Sequence, residues 1–497
     1  MTTPSPMSAP ARSSPYGWPQ KAGLLTGLIL FVALLLLPLP GLPREVHRLV
    51  AVLALVIVFW VTEAIPLAAT ALIGPALCVV LGVAPERQVL APFGSPVVFM
   101  YLGMFFLAAG MQKHGLDRRL ALTILALPGV GRTPWRVFAA LGFLTAALSM
   151  WMNNLSTTAV ILPIAMGVLH TSRAIAGSAP SREALVLLIA FSASVGGLGT
   201  PVGTAPNLIT IAHLQQLTGE RVSTVRWMLL AAPLVLLLMA YLLWQLRPRC
   251  GSARDESGAL EREFAEQRRR LGPWKRGEIV TALSLGTAIL LWLGPGIAEL
   301  FQAQLGATKW PRIPEEMVGF CAGLVLFLAP VDFKRGDFTL NWRDAATIDW
   351  GTVMLAAGGL ALGALIFSTG LAKVMGDGMA GLLGTTSLWG IVAVGILLSV
   401  ALSEIASNTA AANVTVPLMI AVAQSAGVNP VPVALGCCLA CSFGFMLPVS
   451  TGPNALAYAT GEVRIAGMIR HGLALDAVGI VLIWLTLRFL GPPLGWV

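Results

Sequence analysis

The chain has 497 residues, 56% of them hydrophobic and 11% charged, with a mean hydropathy of +0.81. Soluble domains carry about 25% charged residues, so a water-soluble enzyme or binding module is excluded as the framework. The net charge of +9 is scattered between apolar runs, which suits Lys and Arg retained in cytoplasmic loops and not a nucleic-acid surface.

The first 21 residues, "MTTPSPMSAPARSSPYGWPQK", are polar and Pro/Ser-rich. They are expected to form a disordered cytoplasmic tail, not a cleaved signal peptide. Apolar runs long enough to cross hydrocarbon, roughly 20 residues each, then recur along the chain. They predict about eleven spans, near 22–39, 48–63, 66–84, 95–112, 185–214, 226–245, 278–300, 315–331, 350–371, 430–461 and 467–490. The runs are continuous, not alternating, which excludes a β-barrel. The expected fold is therefore an all-α polytopic membrane protein. Two further stretches, about 136–170 and 385–423, are too long for one crossing, and small polar residues interrupt each midway.

An Arg-rich hydrophilic segment from Arg247, "RPRCGSARDESGALEREFAEQRRRLGPWKRGE", divides the chain near its middle. The positive-inside rule places it, and "KHGLDRRL" after the fourth span, in the cytoplasm. An odd number of spans then puts the N-terminus inside and the C-terminus outside. The expected organisation is a tail over 1–21, the first span plus a first repeat over 22–245, a linker over 246–277 and a second repeat over 278–497.

The two repeats align in three blocks. "VFMYLGMFFLAAGMQKHGL" (98–116) matches "VMLAAGGLALGALIFSTGL" (353–371) at an offset of 255, "SMWMNNLSTTAVILPI" (149–164) matches "SEIASNTAAANVTVPL" (403–418) at 254, and "PVGTAPNLI" (201–209) matches "PVSTGPNAL" (448–456) at 247. Asn154 thus meets Asn408, Thr204 meets Thr451, and Asn207 meets Asn454. Each half holds five spans and one interrupted hairpin. An odd number of crossings per repeat inserts the second copy upside down, the plan of many secondary transporters.

In hydrocarbon, irregular backbone survives only inside protein or beside a water-filled cavity. A re-entrant hairpin with a polar tip meets that condition. Its free helix N-termini, with Ser, Thr and Asn side chains, can hold an anion without a basic residue. Freed carbonyls at a broken helix can coordinate Na⁺. Pro206 and Pro453 mark such breaks in "GTAPN" and "STGPN". Glu404 is either an intramembrane proton or cation site or a backbone anchor, and Glu63 at the end of a span has the same two readings. The six cysteines, Cys78, Cys250, Cys321, Cys437, Cys438 and Cys441, lie mostly in apolar runs and read as small packing residues. The five histidines are dispersed, and no metalloprotease, P-loop or serine-hydrolase motif occurs. That argues against a membrane enzyme. A channel is the remaining alternative outside transport, but it needs a continuous pore, whereas paired hairpins favour alternating access.

"WVTEAIPLAATAL" (60–72), "LAAGMQKHGLDRRLAL" (107–122), "SEIASNTA" (403–410) and "MLPVSTGPNALAYATG" (446–461) together resemble the divalent anion:sodium symporter family, whose members carry dicarboxylates, citrate or sulfate. The resemblance runs from about residue 22 to the end. It implies a homodimer in a bacterial plasma membrane, with scaffold and transport domains and elevator motion. It implies Na⁺ as coupling ion, held at one site by Ser149, Asn154 and Gly203 and at a second by Ser403, Ala406, Asn408 and Ser450. Substrate carboxylates would meet Asn154, Thr204, Ser407, Asn408, Thr409 and Thr451. The function it implies is Na⁺-coupled import of C4-dicarboxylates such as succinate or malate. A sulfate-type permease and a Na⁺-independent exchanger are the alternatives. The chain departs from the family at three places. Asn153 and Leu155 replace Ser and Thr in the first hairpin motif, with Ser156, Thr157 and Thr158 close enough to compensate, and Gly452 stands where the family often has Pro.

Overall fold

The computed structural model describes residues 17–37, 41–171, 179–247, 258–305, 313–383 and 387–496. Most of the expected tail, the core of the central linker and Cys250 lie outside the described residues.

Eight described helices are long and apolar enough to cross a membrane. One of them, Leu388–Ile405, is an arm of the second interrupted stretch. The other seven, the 14-residue helices Leu67–Val80 and Glu315–Leu328, and two broken helices account for every span expected from the sequence. The protein is an all-α polytopic membrane protein, with one two-stranded ribbon pairing Pro330–Asp332 with Asp337–Phe338.

Both interrupted stretches are helical hairpins. The first has arms Pro134–Ser149 and Asn154–Thr171; the second has arms Leu388–Ile405 and Asn408–Ser425. The two broken helices run Ala179–Gly197 then Ala205–Thr218, and Pro430–Cys441 then Gly452–Ala459. Each resumes on a proline in its first turn, where the missing N–H costs nothing and the fixed φ suits a helix start.

Close backbone contact fixes the rest of the bundle. A Cβ at Gly103 would collide with the Gly319 carbonyl, and one at Gly323 would lie 2.5 Å from the Gly103 carbonyl oxygen. Helices Pro96–His114 and Glu315–Leu328 therefore meet backbone to backbone, the contact that small residues allow between membrane helices. Glu63 closes helix Arg44–Thr62 in the left-handed conformation at φ 48°, its N–H returning to the Phe59 carbonyl. Its position is that of a helix cap.

Several features were not anticipated. The first helix begins at Trp18, inside the stretch expected as tail, and Gln20 accepts from the Gly17 N–H at 3.0 Å. Helix Ala259–Arg270 lies within the linker. There the buried Arg119 pairs with Glu278 at 3.0 Å and donates to the carbonyls of Leu271, Gly272 and Pro273. Glu261 accepts from the Gly129 N–H at 2.9 Å. The linker is thus tied to the loop side of the first half.

Candidate functional site

A cavity of about 250 Å³ lies where the two hairpin tips meet the two helix breaks. All six residues expected to hold substrate, Asn154, Thr204, Ser407, Asn408, Thr409 and Thr451, line it. So do Gly203 and Ser450, each expected at a cation site. Among the described residues, no Lys, Arg or His lines it, and the only formal charge lining it is Asp349. Both Asp349 oxygens are taken by Thr352, at 3.0 Å from the amide and 2.5 Å from the hydroxyl.

Four helices begin at this cavity, at Asn154, Ala205, Asn408 and Gly452. Unpaired N–H groups and the positive end of the peptide dipole therefore converge on it. Local chemistry sets each start. Ser407 accepts from the Ala410 amide at 3.2 Å, and Thr451 from the Asn454 amide at 3.3 Å. Asn153 accepts from the Ser156 amide at 2.7 Å, so it does for the first hairpin what Ser407 does for the second. Asn and Ser are equivalent N-caps, which makes this departure conservative. Thr204 precedes its helix without capping it through its side chain.

The other departure is not conservative. Thr157 and Thr158 are buried and donate back to the carbonyls of Asn153 and Asn154 within their own helix. Neither they nor Ser156 line the cavity, so the hydroxyl lost at Leu155 is not replaced.

Beside the cavity lie two oxygen-rich niches. In the first, Ser149 Oγ donates to Asn154 Oδ1 at 2.8 Å. The point where a Gly203 Cβ would sit is 2.5 Å from the Gly197 carbonyl oxygen and 3.0 Å from that of Ser149. In the second, Ser403 Oγ lies 2.8 Å from Asn408 Oδ1 and 2.6 Å from the Cys441 carbonyl. A Cβ on Gly444 would lie 3.2 Å from both Asn408 Oδ1 and the Ser403 carbonyl. A single hydroxyl donor here faces two acceptor oxygens, so the second niche is richer in acceptors than in donors. Carbonyl and side-chain oxygens gathered at a helix break are the donor set that suits Na⁺. Ala406, with extended backbone, ends the arm leading into the second niche, and Ser450 Oγ donates to the Glu404 carbonyl at 2.9 Å. The residues expected at each site are thus brought together.

Glu404 is an anchor. Its carboxylate accepts from the amides of Phe445 and Met446 at 2.7 and 3.0 Å and from Ser450 Oγ at 3.1 Å. It holds the break of the second broken helix. Five cysteines are described; all are free thiols, four of them buried, as packing residues are. No His/Cys/Asp/Glu cluster suited to a metal occurs among the described residues.

Sequence reasoning missed Gly197 and Gly444, although the offset of 247 already pairs them. It also missed two aromatic lining residues, one on helix Pro96–His114 and one in the tip of the first hairpin. Tyr101 lines the cavity and donates to the Ala205 carbonyl at 2.5 Å, and Trp151 lines it while stacking on Trp292 at 6.3 Å. Tyr101 comes from an apolar run in which no side chain stands out, whereas Trp151 sits within the first hairpin block, where a Trp reads as a packing or interface residue.

A central cavity edged by hairpin-tip hydroxyls and amides among broken helices, inside an all-α membrane bundle, defines a secondary transporter. Residues 20–497 match the family model described as the sodium:sulfate symporter transmembrane region, and the chain belongs to that family. It is 30% identical over 493 residues to the sodium-dependent dicarboxylate transporter SdcS of Staphylococcus saprophyticus, covering 96% of this chain and 92% of the relative. It is 29% identical to SdcS of Staphylococcus aureus strain RF122, covering 97% and 93%. Its fold is similar to that of the YdaH transporter of Alcanivorax borkumensis, with a TM-score of 0.53 at 15% identity over 96% of this chain and 98% of the other. It is also similar to MtrF of Neisseria gonorrhoeae, with a TM-score of 0.53 at 16% identity over 93% and 96%.

Proposed function

We propose that the protein is a symporter that imports a C4-dicarboxylate, such as succinate or malate, together with Na⁺. The observation that carries this reading is the convergence of four helix N-termini on a cavity lined by no basic side chain, between two oxygen-rich niches. Helix termini and hydroxyl or amide donors hold the two carboxylates. Asn154 and Asn408 each belong to one niche and also line the cavity. A cation drawn to either Oδ1 therefore orients an amide that faces the anion, which couples the two ligands. The dicarboxylate named for the relatives supports the substrate class.

The hairpins and broken helices form the moving unit in this reading, and two chains form a homodimer through the remaining helices. The N-terminus is cytoplasmic and the C-terminus outside. Arg262, Arg268, Arg269, Arg270, Lys275 and Arg276 in and beside the linker support that orientation by the positive-inside rule.

Calorimetric titration of succinate into purified protein tests the coupling. Binding in NaCl that vanishes in choline chloride is expected; equal affinity in both would overturn Na⁺ coupling. A second reading, a sulfate permease, is favoured by the family description. Sulfate titrated in parallel decides between them.

A further inference from the structure

Leu155 and Gly452 are two departures that meet. Leu155 opens the second arm of the first hairpin, and Gly452 opens the second half of the second broken helix. A Cβ at Gly452 would lie 2.9 Å from Leu155 Cδ1, 3.3 Å from its Cβ and 3.4 Å from its Cγ. The leucine thus occupies the space that any larger residue at 452 would claim, and the glycine is what admits it. Both residues line the cavity, and Leu155 keeps 49% of its surface exposed there. The repeat places Thr409 at the position equivalent to Leu155, at the offset of 254. One hairpin tip therefore offers a hydroxyl and the other a branched hydrocarbon.

This asymmetry bears on the ligand. Sulfate presents oxygen in every direction, and each oxygen turned toward Leu155 would lose water without gaining a donor. A dicarboxylate carries its oxygens at two ends and hydrocarbon between them. Met104 and Phe105 also line the cavity, so apolar surface is present beyond the leucine. We propose that Leu155 and Gly452 form a coupled pair that gives the cavity a hydrocarbon-binding wall, selecting organic dianions by their carbon skeleton and rejecting inorganic oxyanions. The proposal rests on the reading of the cavity as the transport site.

The test measures affinities in NaCl for sulfate, succinate, methylsuccinate and 2,2-dimethylsuccinate, which share charge and differ in alkyl surface. In the unmodified protein one added methyl should tighten binding about fourfold, the value of one buried methylene, and sulfate should bind at least about tenfold more weakly than succinate. Leu155→Thr should erase the methyl increment and narrow the gap to sulfate. Gly452→Ala should weaken succinate binding about threefold or more, and Leu155→Ala in the same chain should recover most of that loss, since contacting residues couple. Equal methyl increments in the unmodified protein and Leu155→Thr would overturn the proposal, as would additive losses in the Gly452→Ala, Leu155→Ala pair. If Gly452→Ala does not fold, the Leu155→Thr comparison still decides. Absence of any Na⁺-dependent dicarboxylate binding by the unmodified protein would overturn the transport-site reading and this proposal together. Normal succinate binding with a flat alkyl series would overturn this proposal alone.

Discussion

Asn207 and Asn454 do the same work in the two halves of the chain. Each is fully buried and turns its side-chain amide into the preceding helix break. Asn207 donates to the carbonyls of Gly197 and Thr200 at 3.0 and 2.7 Å; Asn454 donates to those of Gly444 and Leu447 at 2.9 and 3.0 Å. Ser149–Asn154 and Ser403–Asn408 repeat as well, both at 2.8 Å. The repeat seen in the sequence is therefore a repeat of hydrogen bonds. Each break keeps its shape because one buried amide satisfies two carbonyls that left the helix ladder.

Removing either amide should loosen its break. Asn207→Ala and Asn454→Ala each leave two buried carbonyls without a donor, at about 1–3 kcal/mol for each orphaned group. Thermal unfolding in detergent should fall by several degrees for both variants. A melting temperature unchanged in either one would contradict the shared role.

The second hairpin tip faces the cavity with Asn408 and Thr409. Asn408→Ala and Thr409→Ala should each lower succinate affinity about tenfold or more, as expected for hydrogen bonds to a charged ligand, with expression unchanged. Normal uptake by Asn408→Ala would show that the site is misassigned.

The niches can be blocked without touching any donor. A Cβ on Gly197 would collide with Asn154 Oδ1, whereas a Cβ on Gly444 would stand 3.2 Å from Asn408 Oδ1. Gly197→Ala should therefore raise the Na⁺ concentration for half-maximal uptake more than Gly444→Ala does. The reverse order, or no change in either, would separate the niches from cation binding.

Glu404 distinguishes anchoring from proton transfer. Glu404→Gln keeps one oxygen for the Phe445 and Met446 amides and sets an amide donor beside Ser450 and the buried Asp476 carboxylate, so it should change stability by less than about 1 kcal/mol. The pH profile of residual transport should keep its shape. A profile that flattens in this variant would make Glu404 a proton carrier.

Much of this site was legible before the structure, because membranes punish irregular polar backbone. "SNT", "GTAPN" and "STGPN" stood out against apolar runs, and the offset between halves paired them. Asn153 was harder to judge. Its cap on Ser156 shows that a changed residue preserves an old interaction. The contact between Leu155 and Gly452 was not legible, because nearly 300 residues separate two positions that pack together only through the fold. Tyr101 and Asp349 were missed for the same reason: they reach the cavity from helices whose sequences show only apolar continuity or an ordinary N-cap; Trp151 was passed over because a Trp beside polar tip residues reads as an anchor.

The central claim, that a dicarboxylate enters together with Na⁺, is tested most directly by uptake into proteoliposomes. Radiolabelled succinate and sulfate would be followed in parallel, with and without an inward Na⁺ gradient. The account predicts succinate accumulation that requires the gradient and collapses when Na⁺ is equalised, with little sulfate uptake. Sulfate accumulation without succinate, or succinate entry that ignores Na⁺ and requires internal dicarboxylate, would contradict it.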